Sequence, residues 1–331
     1  MTRTHGQAPP ANMAMRLNPG LFDLQGHRGT RGLAPENTLP AFARAMKIGV
    51  STLELDTALT SDGVVVVAHD RRLNPEITRG SDGKWLVAPT ATVRSLSYAQ
   101  LQTLDVGRID PKSEYCRRFA KQQGMDGVHM PALSEVFDLV RRSGNSQLRF
   151  NIETKLSPLF PDEAPQPAEF VGALLSCIDA AGVMERVTIQ SFDWRVLRLV
   201  RAQAPAVPIS YLSAQQGSQA TVTSSGASPW TDGISLSKHG SVPRMIAVAA
   251  MTTPDDSLQK ILWSPHFADL SEHLVIEAHA MNIAVLPWTL NEPEEIARAI
   301  MMGVDGLISD YPDRARDTMA RMGLELPAPI P

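Results

Sequence analysis

The chain has 331 residues, of which 43% are hydrophobic and 20% charged, and its formal net charge is −4. This length suits one large α/β barrel or two medium domains, because single barrels run to about 250 residues before insertions. The nearly neutral charge argues against the basic surface that sequence-independent nucleic-acid binding requires. The two cysteines exclude a disulfide framework and a zinc site built on cysteine. We therefore expect a globular protein of a reducing, cytoplasmic compartment that does not bind nucleic acid.

The two ends of the chain differ in composition from the rest. Residues 1–20 are polar and proline-rich, without the apolar core of a signal peptide, and we expect a disordered arm there. We also expect a C-terminal tail over residues 319–331, with a proline-rich end, residues 326–331, that frays. The longest apolar runs, 64–68 and 246–251, are far shorter than the roughly 18 residues of a transmembrane helix. Integral membrane association is therefore not expected.

Short apolar segments alternate with helix-like patterns along the chain, which predicts a parallel sheet with crossover helices. The predicted strands are 22–26, 52–57, 64–68, 148–154, 187–191, 208–212, either 233–236 or 262–264, 283–288, and 306–309. The predicted helices are 37–48, 168–181, 194–203, 271–281 and 293–302, with Asn291 as the N-cap of the last and Gly49, Gly182 and Gly303 at C-cap positions. Eight or nine strands in this alternation favour a closed barrel over residues 21–318.

Two stretches interrupt the alternation. Residues 71–130 fall in a polar, irregular region that is too long for an ordinary connection, and they predict an inserted subdomain or lid. Residues 214–230 are rich in Ser, Thr, Gln and Gly, which predicts a mobile loop.

Glu54 and Asp56 stand two positions apart in a predicted strand. Such positions share a face, so both carboxylates point one way while Leu53 and Leu55 point the other. Burying paired negative charges in a barrel is costly unless a cation neutralises them or one is protonated. The segment indicates a bound cation, although an edge strand with solvated acids fits the same residues equally well.

A second predicted strand adds a carboxylate and a cation to this face, because Asn151, Glu153 and Lys155 alternate in the same way. Three oxygen ligands from two strands, without cysteine ligands or a His-x-x-x-His pair, predict one hard cation, Mg²⁺ or Ca²⁺. Lys155 fits two roles, a phosphate or carboxylate partner and a Schiff-base amine. The adjacent acids favour the charged ammonium of the first role.

Two histidines stand where predicted strands end, His27 before Arg28 and Gly29, and His69 before Asp70. In a βα barrel these carboxyl ends form the catalytic face, so the histidines, acids and basic side chains converge on one mouth. His27 and His69 are therefore candidates for acid and base catalysis. Arg28 is a candidate oxyanion clamp rather than a surface ion pair, since the neighbouring glycine permits close approach to a ligand.

Trp288 also follows an apolar run, and it fits either an apolar wall over the substrate or a large core residue. The remaining histidines beyond the N-terminal arm lie in predicted loops, helices or the insertion and receive no role: His129, His239, His266, His273 and His279.

The order of these motifs resembles the glycerophosphodiester phosphodiesterase family. The matching blocks are His27-Arg28-Gly29, Pro35-Glu36-Asn37-Thr38, Glu54-Leu55-Asp56, His69-Asp70, Glu153-Thr154-Lys155, Trp288-Thr289-Leu290-Asn291, Gly303-Val304-Asp305-Gly306 and Asp310-Tyr311-Pro312. Together they extend over roughly residues 22–315. The resemblance implies the family's fold, an α/β TIM (β/α)8 barrel, with an insertion after the second histidine motif that corresponds to residues 71–130.

The resemblance also implies a role for each matched residue. The expected site consists of metal ligands (Glu54, Asp56, Glu153), a general base and acid (His27, His69), and phosphate- or substrate-binding residues (Arg28, Lys155, Trp288). The implied reaction is metal-dependent hydrolysis of a small-molecule glycerophosphodiester to glycerol 3-phosphate and an alcohol, in lipid and glycerol metabolism. Three alternatives stay open: a phospholipase-like barrel acting on lysophospholipids or inositol lipids, a non-catalytic phosphoester-binding barrel, and a Schiff-base aldolase that uses Lys155.

Overall fold

The computed structural model describes residues 22–217, 220–224, 226–250 and 260–330. Its strands are β1 (Asp23–Gly26), β2 (Thr52–Leu59), β3 (Val65–Val67), β4 (Arg149–Thr154), β5 (Val187–Ser191), β6 (Ile209–Ser213), β7 (Ile261–Pro265), β8 (Ile283–Val285) and β9 (Gly306–Ser309). Eight of them pair in the order β8-β7-β6-β5-β4-β2-β1-β9. The Asp305 amide donates to the Val285 carbonyl at 2.9 Å, which joins the two ends of this order. The TIM-barrel prediction is confirmed.

Helices surround the barrel. They are α1 (Leu39–Ile48), α2 (Tyr98–Leu101), α3 (Glu114–Arg118), α4 (Leu133–Arg142), α5 (Pro167–Ala180), α6 (Trp194–Gln203), α7 (Leu236–His239), α8 (Val242–Ala250), α9 (Glu272–Ala280), α10 (Pro293–Met301) and α11 (Pro312–Arg321). Helix α4 shows why they pack inward: Leu133, Val136, Phe137 and Val140 follow the spacing of one helical face, and all four are buried. None of the helices in the described residues is long and apolar enough to cross a membrane.

The main core lies between the barrel and its helices. On β2 and β4, Leu53, Leu55, Phe150 and Ile152 belong to this core, so their strand neighbours point into the barrel. The pairing of β2 with β4 places Glu54 opposite Asn151 and Asp56 opposite Glu153. The alternation therefore brings three carboxylates to one end of the barrel interior.

A layer of amides fills the barrel interior beneath these acids. The Asn151 side chain donates to Gln25 at 2.8 Å and to Gln190 at 3.0 Å, and Gln190 donates to Glu54 Oε1 at 2.8 Å. All three amide side chains are buried. Because buried polar groups need partners, this layer fixes the side chain of Glu54.

The insertion is a small subdomain on the outside of the barrel. Predicted strand 64–68 corresponds to β3, which pairs antiparallel with β2 and is not one of the eight barrel strands. Around it lies a separate apolar cluster that includes Val66, Leu73, Val93 and Leu101. This separate cluster supports the interpretation of residues 71–130 as an inserted subdomain, and α4 returns the chain to the barrel.

Several local predictions were wrong. Of the two alternatives for one strand, 262–264 corresponds to β7, whereas 233–236 forms no strand. Six helices of the described residues have no counterpart among the predicted ones: α2, α3, α4, α7, α8 and α11. Asn291 does not cap α10; Glu292 is the N-cap, and the Asn291 side chain donates instead to Asp310 Oδ2 at 2.8 Å.

The C-terminal end also differs from the prediction, while the predicted N-terminal arm, residues 1–20, lies outside the described residues. Helix α11 continues to Arg321. Ile330 is buried in the main core, and its amide donates to the Met46 carbonyl at 2.8 Å. The predicted fraying is therefore wrong for residues 326–330, because an apolar side chain anchors this segment on α1.

Ile152→Ala tests the position of the main core. Ile152 is fully buried, and removing three buried carbons should lower the free energy of unfolding by about 2–5 kcal/mol. The matched variant Ile276→Ala removes the same atoms from a side chain that is 43% exposed, and it should change stability by less than about 0.5 kcal/mol. Urea denaturation of both variants measures the difference; equal losses would contradict this core.

Candidate active site

The carboxyl ends of the first barrel strands open into a cleft of about 1000 Å³. Of the eight residues predicted for the site, seven line this cleft: His27, Arg28, Glu54, His69, Glu153, Lys155 and Trp288. The eighth, Asp56, is 1% exposed and lies against Arg28 and Lys155. The structure therefore brings together all eight residues that were predicted for the site.

The three carboxylates of Glu54, Asp56 and Glu153 form a buried acidic cluster, with one oxygen of each within 4.8 Å of the others. Burial and the charge of Asp56 raise the pKa of Glu54 well above its usual range. Burial is also the largest cause that raises the pKa of Glu153 to about 7; the charge of Asp56 adds to it, and Lys155 opposes it. For Asp56, burial is outweighed by the charges of Arg28, His69 and Lys155, which lower its pKa. The surrounding positive charge therefore stabilises the Asp56 carboxylate more than those of Glu54 and Glu153.

The acidic cluster fits a divalent metal ion. Asp56 Oδ1 is buried without a hydrogen-bond partner, and an orphaned carboxylate oxygen is costly unless a cation or donor meets it. Lys155 Nζ is 3.6 Å from this oxygen, too far for a hydrogen bond. Three converging carboxylates are oxygen ligands of the kind that hard cations prefer.

Arg28 is held on one side of the acidic cluster. Its guanidinium pairs with Glu36 Oε1 at 2.5 Å and with Asp56 Oδ2 at 3.1 Å, and its backbone amide donates to Glu54 Oε2 at 2.9 Å. The chain can turn here because Gly29 has a φ of +79° and lies so close to α1 that a Cβ would be 2.7 Å from the Ala41 carbonyl carbon.

The His27 side chain is held by Asp310, an acid that was not among the predicted site residues. Its Nδ1 donates to Asp310 Oδ1 at 2.6 Å, and Arg31 pairs with both oxygens of Asp310, at 2.6 and 3.0 Å. This bond orients the ring and leaves Nε2 available, 3.9 Å from Glu54 Oε2. Burial, followed by the charge of Arg31, lowers the pKa of His27 to about 4. His27 is therefore neutral at pH 7 and can accept a proton at Nε2.

The His69 side chain is held in a similar way but is more exposed than that of His27. Its Nδ1 donates to Asp70 Oδ1 at 2.8 Å, and its side chain is 32% exposed. Asn74 donates to the other oxygen of Asp70 at 3.0 Å. Burial and the charges of Arg28 and Lys155 lower the pKa of His69. Both histidines thus line the cleft, and each has its Nδ1 bonded to a carboxylate, which leaves Nε2 free of that bond.

Lys155 completes the positive charge of the site. Its Nζ donates to Glu153 Oε1 at 2.6 Å. Burial opposes its charge, but Glu153 and Asp56 outweigh burial and raise the pKa of Lys155. A Schiff-base lysine must lose its proton to attack a carbonyl, so the charged ammonium favours the phosphate-binding role.

Aromatic side chains form the opposite wall of the cleft. The Trp288 ring packs edge-to-face on Phe192 at 5.4 Å and on His266 at 5.1 Å, and its Nε1 donates to the Ser264 carbonyl at 2.8 Å. His266, to which the sequence assigned no role, therefore belongs to this wall. The motif block that contains Asp310 was the one available signal for that residue, whereas no motif marked His266.

Comparison with known proteins places the chain in a family. Residues 27–314 match the glycerophosphoryl diester phosphodiesterase family. The glycerophosphodiester phosphodiesterase of Caldanaerobacter subterraneus is 29% identical over 288 residues, which cover 87% of this chain and 93% of the relative.

Solved structures agree. A putative glycerophosphoryl diester phosphodiesterase from Silicibacter pomeroyi has a TM-score of 0.80 and 36% identity, with 94% of this chain and 97% of that one covered. An Oleispira antarctica phosphodiesterase, solved with the product sn-glycerol-3-phosphate, shares the fold with a TM-score of 0.64 and 21% identity, over 91% of this chain and 97% of that one. The chain therefore belongs to the glycerophosphoryl diester phosphodiesterase family and is an enzyme of that family.

Proposed function

We propose that this enzyme hydrolyses glycerophosphodiesters to glycerol 3-phosphate and an alcohol, with one divalent cation, Mg²⁺ or Ca²⁺, held by Glu54, Asp56 and Glu153. The observation that carries this proposal is the acidic cluster flanked by two histidines that each donate Nδ1 to a carboxylate. When bound, this cation would supply positive charge close to the phosphate group. The two free cysteines, Cys116 and Cys177, support a reducing, cytoplasmic location.

Arg28 and Lys155 bind the phosphate group in this proposal. Arg28 is buried and Lys155 is partly buried at the cleft, and both carry their charge at neutral pH because carboxylates flank them. A phosphodiester gains negative charge on its non-bridging oxygens as it is attacked, and fixed positive groups in a desolvated site stabilise that charge. The acidic cluster thus serves a second purpose, since it holds the two basic side chains in place before substrate arrives.

The histidines move the protons. His27 Nε2 takes a proton from the nucleophile, either water or the neighbouring glycerol hydroxyl, whose oxygen then bonds to phosphorus. The bond from phosphorus to the leaving oxygen breaks, and His69 gives that oxygen a proton. If the nucleophile is the glycerol hydroxyl, the product of this step is a cyclic phosphate; water then loses a proton to His69 and attacks phosphorus, and the ring P–O bond breaks as His27 returns its proton to the glycerol oxygen, which gives glycerol 3-phosphate. The neutral state of His27 supports its assignment as base. Burial, Arg28 and Lys155 lower the pKa of His69, and the hydrogen bond to Asp70 opposes them, so Asp70 favours the protonated state that an acid needs.

A second candidate is phospholipase-like activity on lysophospholipids. Leu159 and Phe160 line the same cleft and are 56% and 51% exposed. Exposed apolar side chains at the edge of a large cleft favour an apolar ligand. This candidate uses the same acidic cluster and histidines and differs only in the substrate that reaches them.

His27→Ala and His69→Ala should each reduce turnover of a glycerophosphodiester by about 10²- to 10⁴-fold, because each removes one proton-transfer group. Release of glycerol 3-phosphate, followed by phosphorus NMR with added Mg²⁺ or Ca²⁺, measures the loss. His273→Ala is the matched control, since His273 is exposed on α9, and its turnover should equal that of the wild type. Near-normal turnover by His27→Ala or His69→Ala would refute the assignment of that histidine.

The same assay distinguishes the second candidate. If the edge of the cleft binds an acyl chain, the double variant Leu159→Ser, Phe160→Ser should lose about tenfold or more in kcat/KM on a lysophospholipid, from two lost apolar contacts. It should keep its activity on glycerophosphocholine. Val87→Ser, at a side chain that is 83% exposed, controls for a change in surface polarity. Equal activity of the double variant and the wild type on lysophospholipid would exclude this candidate.

A further inference from the structure

Helix α3 of the insertion reaches the guanidinium of Arg28 through one intervening residue. The Tyr115 hydroxyl donates to Glu36 Oε2. Glu36 uses its other oxygen, Oε1, to pair with Arg28 Nη1 at 2.5 Å, and Arg28 Nε lies 3.1 Å from Asp56 Oδ2. Arg28 and Glu36 are 6% and 7% exposed. A continuous line of polar contacts therefore runs from the subdomain to the acidic cluster.

The next turn of the same insertion segment contacts the other end of the site. The Phe119 ring lies 4.6 Å from the Arg31 guanidinium carbon, and Gln122 donates to the Arg31 carbonyl at 2.8 Å. Arg31 holds Asp310, which orients His27. The insertion thus contacts Arg31 directly and reaches Arg28 through Glu36.

We propose that Tyr115 is a positioning residue for this enzyme: its hydroxyl fixes Glu36, and Glu36 in turn fixes the direction in which Arg28 faces the phosphate. The inference rests on the proposed function, in which Arg28 binds the phosphate group. It gives the insertion a part in the reaction besides that of bounding the cleft.

The physical reason is the cost of a half-satisfied buried carboxylate. Without the tyrosine hydroxyl, Glu36 Oε2 loses its hydrogen bond in a buried setting, which is unfavourable. The carboxylate is then free to rotate, and the guanidinium paired with it follows, since Arg28 has a long and flexible stem. Burial, together with the charge of Glu36, raises the pKa of Tyr115, so the hydroxyl keeps its proton and remains a donor at neutral pH.

Tyr115→Phe removes the hydroxyl alone. The tyrosine ring also packs edge-to-face on Phe119, with ring centroids 4.8 Å apart, and phenylalanine keeps this contact. The matched control is Tyr98→Phe, because Tyr98 lies in the same insertion and donates its hydroxyl to a carboxylate, Glu135 Oε2, at 2.6 Å. Tyr98 does not line the cleft.

We expect Tyr115→Phe to lower kcat/KM for a glycerophosphodiester about tenfold, the size of effect that follows loss of a hydrogen bond to a charged group. It should weaken binding of inorganic phosphate, measured by calorimetry, by a similar factor. Tyr98→Phe should leave both quantities within about twofold of the wild type, while thermal unfolding compares the stability of the two variants. In a Glu36→Gln background, Tyr115→Phe should cause little further loss of kcat/KM, because Glu36, which connects Tyr115 to Arg28, has already been changed.

Each outcome decides a separate question. Unchanged kcat/KM and unchanged phosphate affinity in Tyr115→Phe would overturn the inference, and so would equal losses in Tyr115→Phe and Tyr98→Phe. A full additional loss in the Glu36→Gln background would show that Tyr115 does not act through Glu36. A wild-type enzyme without turnover of glycerophosphodiesters would refute the proposed function instead, while the phosphate titration would still test Tyr115.

Discussion

Electrostatic repulsion within the acidic cluster governs how the rest of the site is built. One oxygen from each of Glu54, Asp56 and Glu153 lies within 4.8 Å of the others, in a buried setting. Each buried carboxylate carries a desolvation penalty of several kcal/mol that only nearby positive charge and hydrogen bonds offset. Arg28 and Lys155 supply two positive charges, but Glu36 shares the first of them. The cluster therefore keeps an excess of negative charge, which a divalent cation would neutralise.

The barrel imposes this repulsion because of its strand register. Parallel pairing of β2 with β4 sets Asp56 opposite Glu153, and the alternation of side chains turns both away from the apolar core. The amide side chains below the cluster are uncharged, and one of them, Gln190, donates a hydrogen bond to the Glu54 carboxylate. Each histidine is bonded to a carboxylate outside the acidic cluster, His27 to Asp310 and His69 to Asp70. Their orientation therefore does not depend on the acids that would hold the metal.

Alternation of residue types was enough to predict the barrel, the inward face of β2 and β4, and the convergence of the site residues. It was not enough for β3, because a run of valines has the same pattern in a parallel barrel strand and in an antiparallel strand outside the barrel. This alternation also could not predict contacts between residues that are far apart in the sequence. Asp310 lies 283 positions from His27 and Tyr115 lies 79 positions from Glu36, and no local pattern links such pairs.

The proposed dependence of hydrolysis on a divalent cation in the acidic cluster can be tested directly. The most direct measurement is phosphorus NMR of glycerol 3-phosphate release before chelation, after exhaustive chelation and after Mg²⁺ or Ca²⁺ is restored. It should be paired with calorimetric titration of the metal into wild type, Asp56→Asn and the surface control Asp138→Asn, whose side chain is 41% exposed. We expect turnover to be lost on chelation and to return with the metal, and we expect metal binding to be lost in Asp56→Asn alone. Full turnover after exhaustive chelation, or equal metal binding by all three proteins, would contradict the proposal.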